Sequence, residues 1–151
     1  MRISIQKAVP AFLLLLYLCV LLRITVFRSN FSLTGLFAGG SLQWVPFYNL
    51  YLAFINQGLF YFLYLFLGNI IWFMPLGFLL PVLSGAGPRL PKLLLAGFCL
   101  SFLIELLQYV FGTGVSEVDD LLLNTIGTAA GYFLYRLMVR LKNAARYSLS
   151  R

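Results

Sequence analysis

The chain contains no histidine and only four acidic residues, and no charged residue occurs between positions 29 and 88. Without histidine, the commonest general base and the commonest metal ligand are absent. Charged residues make up 10% of the 151 positions and hydrophobic residues 62%, with a mean hydropathy of +0.94. A soluble domain of this length needs a charged surface, so this composition indicates a membrane protein.

Paired cysteines and a basic stripe are also missing. Cys19 and Cys99 stand alone within apolar runs, which favours unreactive thiols buried in apolar surroundings. The eleven basic residues give a net charge of +7, but they lie at the ends of apolar segments. This placement is typical of membrane topology signals and argues against nucleic acid as a partner.

Four apolar stretches predict membrane crossings, at about residues 8–27, 59–83, 90–111 and 118–139. Between the first two lie a Gly-, Ser- and Thr-rich loop, residues 31–43, and a segment rich in Trp and Tyr, residues 44–56. Such aromatics favour the headgroup level, so a helix lying in the interface is expected there.

Basic residues predict the orientation. With the N-terminus inside, nine basic residues are cytoplasmic and only Arg23 and Arg28 lie outside. The predicted fold is an all-α membrane protein: a single domain over residues 1–151, forming a four-transmembrane-helix bundle with an outer interfacial aromatic segment. Both termini are predicted in the cytoplasm, and the turn at residues 112–116 outside.

All four acidic residues lie within residues 101–131. Spacings of three, four and seven place side chains on one helical face, so this stretch carries one polar stripe on each of two helices. An ionisable side chain is costly in lipid and usually faces the protein interior or a wet cavity. The sequence therefore predicts a polar pocket near the outer membrane face, formed by Ser101, Glu105, Gln108, Asp119, Asp120 and Asn124 and closed by Asn69.

Several chemical interpretations of these acids stay open. Ser116 followed by Asp119 resembles a capping box, and Glu117 would complement the dipole of the same helix. Glu105 could be tied structurally to Asn124 or Arg23. Convergence of Glu105, Asp119 and Asp120 would suit a divalent cation such as Mg²⁺ or Ca²⁺, although no cofactor is assigned. Alternatively, one buried carboxyl acts as a general acid or base.

Small residues predict how the crossings pack. Gly127 and Gly131 form a small-xxx-small motif, which we expect to draw Asp120 and Asn124 towards the third crossing. In the second crossing, Pro75 predicts a kink, and Gly77 lies on roughly the same face as Asn69.

Together these motifs resemble the VanZ-like family of small bacterial membrane proteins. The similarity covers roughly residues 45–140 and rests on Asn69 with Pro75-Leu-Gly77, Ser101-x3-Glu105-x2-Gln108, and Glu117-Val-Asp119-Asp120-x3-Asn124-x2-Gly127-x3-Gly131. The resemblance implies a multi-pass cell-membrane protein related to the accessory factor for resistance to teicoplanin-type antibiotics. Many members have an arginine in the turn before the acidic run, where this chain has Gly112-Thr-Gly114-Val115, so an anion-binding role for that turn is not expected.

Three functions are compatible with the sequence. The favoured one is a non-enzymatic factor of the cell envelope that lowers susceptibility to glycopeptides such as teicoplanin. It would do so by changing how the drug or wall-precursor lipids are displayed at the outer surface. The second is an enzyme that acts on a lipid-linked cell-wall precursor through Glu105 and Asp120. The third is a structural or regulatory subunit of a membrane complex. The expected partners are membrane lipids, with a lipid-linked wall precursor or a glycopeptide as the ligand.

Overall fold

A computed structural model describes residues 5–28, 31, 39–85 and 89–149. Within these ranges the chain is built from five helices: α1 (Ile5–Thr25), α2 (Tyr48–Gln57), α3 (Leu59–Ser84), α4 (Leu90–Phe111) and α5 (Val118–Leu149). Two short strands, β1 (Ser41–Gln43) and β2 (Val115–Glu117), complete the described elements. Most of the predicted loop at residues 31–43 lies outside the described residues.

Three of the described helices are long and apolar enough to cross a membrane: α1 from Lys7 to Thr25, α3 and α4. They coincide closely with the first three predicted crossings. The fourth predicted segment is helical too, but α5 continues to Leu149 and does not meet the same criteria of length and apolar composition. Cys19 and Cys99 are exposed on α1 and α4, so their predicted burial within the protein is wrong.

Glycines hold α5 against α3. A Cβ atom on Gly131 would lie 2.0 Å from the Met74 carbonyl oxygen, and one on Gly127 would lie 2.2 Å from that of Ile70. Gly77 makes the reciprocal approach, because its Cβ would lie 1.9 Å from the Thr128 carbonyl oxygen. The close contact is therefore made with the second predicted crossing and not, as predicted, with the third.

The side of α5 that faces α4 carries different residues. Gly97 contacts Thr128 so closely that a Cβ would lie 2.3 Å from its Oγ1, and one turn along each helix Ser101 accepts a hydrogen bond from Asn124. The helices are thus antiparallel, and the next turn brings Glu105 to Asp120. Positions three apart diverge by about 60° around a helix, so Asn124 and Gly127 serve two different neighbours.

The chain between α4 and α5 folds back along α4. β2 pairs in parallel with β1, with Leu42 opposite Ser116, and the Gly40 amide donates to the Tyr109 carbonyl at 2.7 Å. This two-stranded sheet is an addition to the predicted all-α fold. We call the end of the helices where it lies the strand end; α1 and α4 finish there, and α3 and α5 begin there.

The apolar core joins α1, α3 and α4 below this end. It contains Leu21, Val26, Phe73, Leu76 and Ile104. Helix α3 continues through the two prolines at positions 75 and 81. Three residues before the first of them, the Trp72 carbonyl accepts a hydrogen bond from the Tyr17 hydroxyl at 2.8 Å, so α1 supplies a donor beside the proline. The kink at that proline stays a prediction.

Candidate functional site

A polar cavity of about 420 Å³ lies at the strand end, between α1, α3, α4 and α5. Its apolar walls come mainly from α1 and α3, including Leu21, Tyr64 and Trp72. Its polar lining consists of Thr25, Arg28, Asn69, Glu105, Gln108, Asp120 and Asn124. Five of the residues predicted for the pocket thus line one cavity in an otherwise apolar helical body.

Glu105 lies in the centre of this group and is only 6% exposed. Its Oε2 accepts a hydrogen bond from the Glu117 amide at 2.9 Å, and its main-chain carbonyl accepts one from the Ser116 hydroxyl at 2.7 Å. The fold-back of β2 therefore brings polar backbone to the depth of Glu105. Arg23, one of the alternative partners, instead donates to the Phe27 carbonyl.

The Glu105 and Asp120 carboxyl groups lie within hydrogen-bonding reach of each other. Because like charges this close disfavour each other's ionisation, the pair is suited to hold and exchange a proton. Asn69 donates from Nδ2 to Asp120 Oδ1 at 2.5 Å, which ties the pair to α3. Ser101 donates to the Asp120 main-chain carbonyl at 3.3 Å, which ties it to α4.

Asp119 points away from this pair, although it is next in sequence to Asp120. It is 2% exposed, and its two carboxylate oxygens accept the Phe47 amide at 2.8 and 2.9 Å. Phe47 precedes α2 with φ of +61°, a conformation that a residue with a side chain rarely adopts, so this bond stabilises a strained backbone. The structure therefore does not bring Asp119 into the predicted pocket.

Glu117 also connects α2 to the rest of the strand end. Its Oε1 accepts a hydrogen bond from Asn49 Nδ2 at 2.9 Å. Burial raises the pKa of the Glu117 carboxyl, an effect that the Asn49 hydrogen bond opposes and the negative charge of Asp119 reinforces. The predicted capping box does not describe this turn, since the Ser116 hydroxyl donates to α4 and Asp119 accepts from Phe47.

The predicted cation ligands do not converge. Within the described residues, which include all four acids, there is no group of three or more His, Cys, Asp or Glu side chains able to hold a metal ion. The diversion of Asp119 to Phe47 is the geometric reason. A divalent cation held by Glu105 and Asp120 with amide oxygens stays a prediction.

Sequence reasoning missed three contributors to the site. Arg28 was interpreted only as a topology signal, yet it lines the cavity while its Nε donates to the Ile24 carbonyl at 3.2 Å. Thr128 and Gly97 allow α4 and α5 to approach just below the acid pair. The position of Arg28 could have been suspected, because the end of the first crossing and the acidic turn were both predicted on the outer side.

The predicted packing residues lie outside the cavity. Gly77, Gly127 and Gly131 set the distance between α3 and α5, and this distance brings Asn69 to Asp120. Pro75 lies on the same stretch of α3 and does not line the cavity.

Comparison with known proteins agrees with the resemblance. The family model described as VanZ/LLP1 matches residues 14–139, a range that also includes much of α1. Protein VanZ from Enterococcus faecium is 31% identical over 127 residues, which cover 83% of this chain and 72% of that protein. No solved structure is significantly similar to the chain. With its apolar helices and a match over most of its length, this membrane protein belongs to the VanZ/LLP1 family.

Proposed function

We propose that the chain is a four-crossing protein of the bacterial cell membrane whose strand end faces outward. Its polar cavity binds the polar group of a membrane-embedded molecule, a wall-precursor lipid or another amphiphile. Through this binding the protein lowers susceptibility to glycopeptide antibiotics such as teicoplanin.

The fourth crossing is supported by the surface of α5. The helix runs alongside α3, and its exposed positions as far as Met138 are largely apolar, with Ile126, Phe133 and Leu137 each more than half exposed. Its 32 residues give a length of about 48 Å, enough for a crossing of about 30 Å and a basic extension beyond it.

The orientation is supported by charge and by aromatic residues. Nine of the eleven basic residues are placed in the cytoplasm when both termini are inside. Trp44 is 71% exposed at the strand end, and Tyr48 and Tyr51 are exposed on α2 nearby. Amphipathic aromatics favour the headgroup level, which supports an interfacial segment at the outer surface.

Single-cysteine labelling tests this topology. In a version without Cys19 and Cys99, we expect Val115→Cys to react with an impermeant maleimide from outside intact cells, and Asn143→Cys to react only after permeabilisation. Both positions are exposed, whereas the neighbouring Thr113 is only 3% exposed and would label poorly. Reaction of both cysteines from the same side would refute the four-crossing arrangement.

The observation that carries the binding function is the polar cavity. The site is concave, and its few polar groups converge beside apolar walls: a buried acid pair, three amides and an arginine. This combination is typical of ligand sites. Intramembrane ionisable residues commonly mark such sites. The link to glycopeptides comes from the family, to which Protein VanZ also belongs.

Expression in a glycopeptide-sensitive bacterial host tests the proposed function. Cells that express the chain are expected to grow at a higher teicoplanin concentration than cells with the empty vector. An antibiotic that does not act on the cell wall serves as the control, because its inhibitory concentration should be unchanged. Equal teicoplanin sensitivity in both strains, with the protein present in the membrane, would contradict the resistance role.

A second candidate function is an enzyme acting on a lipid-linked wall precursor. The feature that favours it is the close approach of the Glu105 and Asp120 carboxyl groups, since such a pair can give and take a proton. Turnover of a lipid-linked precursor by the purified protein would identify this function, whereas a binding factor leaves the lipid intact.

A further inference from the structure

The end of the helices opposite the strand end carries basic side chains and no acidic ones. All four acidic residues of the chain lie between positions 105 and 120, at the strand end. At the opposite end α1 and α4 begin, α3 ends and α5 continues past the bundle. The exposed basic residues described there are Lys7, Arg89, Lys92, Arg136, Arg140, Lys142 and Arg146. We call this region the basic end; the chain supplies no counter-charge to it.

The register of α4 and α5 brings two of these arginines to the same level. The two contacts already described between these helices, at Ser101 and at Gly97, are one turn apart. The next turn in that register places Leu93 level with Tyr132, and their exposure of 1% and 8% agrees with a continued contact. One turn further, Arg89 comes level with Arg136. Two exposed guanidinium groups from different helices therefore lie at one edge of the bundle.

This edge lies at the membrane boundary. Arg89 directly precedes α4, whose 22 residues give a length of about 33 Å, close to the thickness of the hydrocarbon layer. On α5, Phe133 lies three residues before Arg136, on the same side of the helix, and is 58% exposed. The arginines thus meet the headgroup layer, with apolar surface next to them on the membrane side.

The Arg136 guanidinium is held in place without an acidic partner. Its Nη1 donates a hydrogen bond to the Tyr132 hydroxyl at 3.0 Å, and its Cζ lies 5.8 Å from the centre of the Tyr132 ring. Asp120, the nearest acid along α5, is about 24 Å away. A positioned and exposed guanidinium favours an anion from outside the chain, and its planar fork matches a phosphate.

We propose that Arg89 and Arg136 bind the phosphate of an anionic phospholipid at the edge between α4 and α5. The charge of the basic end is complementary to a lipid with net negative charge, and the exposed apolar surface at Phe133 contacts its acyl chains. This site lies at the other end of the helices from the polar cavity. It rests on the proposed function only for the leaflet, which is the cytoplasmic one if the strand end faces outward.

A lipid competition experiment tests the proposal. The full-length chain, purified in detergent and depleted of lipid, is incubated in 0.15 M salt, about physiological ionic strength, with equal amounts of dioleoyl-phosphatidylglycerol and dioleoyl-phosphatidylcholine. The retained lipids are measured by mass spectrometry. We expect about twentyfold more phosphatidylglycerol than phosphatidylcholine, since each basic group near the headgroup contributes about fivefold.

Charge-removing variants separate this site from a general attraction of the basic end. Arg136→Gln and Arg89→Gln should each lower the phosphatidylglycerol-to-phosphatidylcholine ratio about fivefold. Arg146→Gln is the matched control, because it removes the same charge from α5 about 15 Å further along the helix, beyond the screening length in this buffer. It should leave the ratio close to that of the parent. If Arg136→Gln does not fold, Arg89→Gln decides the question.

Three results would overturn the proposal. They are equal retention of the two lipids by the parent, an equal loss of preference in Arg146→Gln and Arg136→Gln, and displacement of the lipid by inorganic phosphate at constant ionic strength. The last would make a soluble anion the ligand. The lipid preference is measured in detergent, without reference to teicoplanin protection or orientation, so its failure is distinguishable from a failure of the proposed function.

Discussion

Replacing Gly77 by alanine is expected to lower the melting temperature of the purified protein in detergent by about 10 °C. The new Cβ would lie 1.9 Å from the Thr128 carbonyl oxygen and 3.0 Å from the Tyr132 amide nitrogen. These neighbours are backbone atoms, so α3 and α5 would have to move apart. Overpacking of this kind costs about 3 kcal/mol, which corresponds to a shift of about 10 °C for a chain of this length.

Gly68→Ala provides the matched control on the same helix. A Cβ on Gly68 meets no atom within 4 Å, so alanine should be tolerated or should stabilise α3 by up to about 1 kcal/mol through its better helix propensity. Thermal unfolding of both variants and the parent, in the same detergent, gives the comparison. Equal melting temperatures for Gly77→Ala and the parent would show that the contact of α3 with α5 is not tight.

Glu105→Gln is expected to abolish teicoplanin protection while the protein stays folded in the membrane. The carbonyl oxygen of the substituted side chain can still accept the Glu117 amide, and its NH₂ group can donate to the Asp120 carboxylate. An amide also costs less to bury than a carboxyl that ionises, so the variant should melt no lower than the parent. With one carboxyl group left, the pair can no longer exchange a proton between two acids, and we expect protection to be lost with it.

The measurements are the teicoplanin concentration that stops growth and the melting temperature of the purified variant. Asp120→Asn should behave in the same way, because it too keeps its hydrogen bond from Asn69. Glu117→Gln is the control, since it makes the same chemical change where the side chain only joins Asn49 on α2, and it should protect like the parent. Full protection by Glu105→Gln would reduce Glu105 to a structural residue.

Most of the helical framework could be predicted from the sequence, because apolar runs and their basic ends are local properties. The bounds of α3 and α4 agree with the predicted crossings nearly to the residue. The convergence of Glu105, Asp120 and Asn124 was also predictable, since a fixed helical period and the cost of isolated polar groups in lipid leave few arrangements.

The departures arise where a residue chooses between partners that are distant in sequence. Asp119 and Asp120 are adjacent and chemically identical, but a helix points them about 100° apart, so one reaches Phe47 and the other Asn69. Likewise, Gly127 was predicted to draw Asn124 towards the third crossing, although α5 uses the two residues against two different helices.

By itself, the sequence determined a membrane protein with long apolar helices, a cluster of acids at one turn, and the family to which the chain belongs. Tertiary structure decided which acids approach each other, that β1 pairs with β2, and that Arg28 joins the cavity. Helix formation and burial in lipid depend on neighbouring residues and average hydropathy. Which partner each polar atom finds depends on ångström-scale distances between the helices. Close glycine contacts fix these distances, and they form only when the helices have assembled.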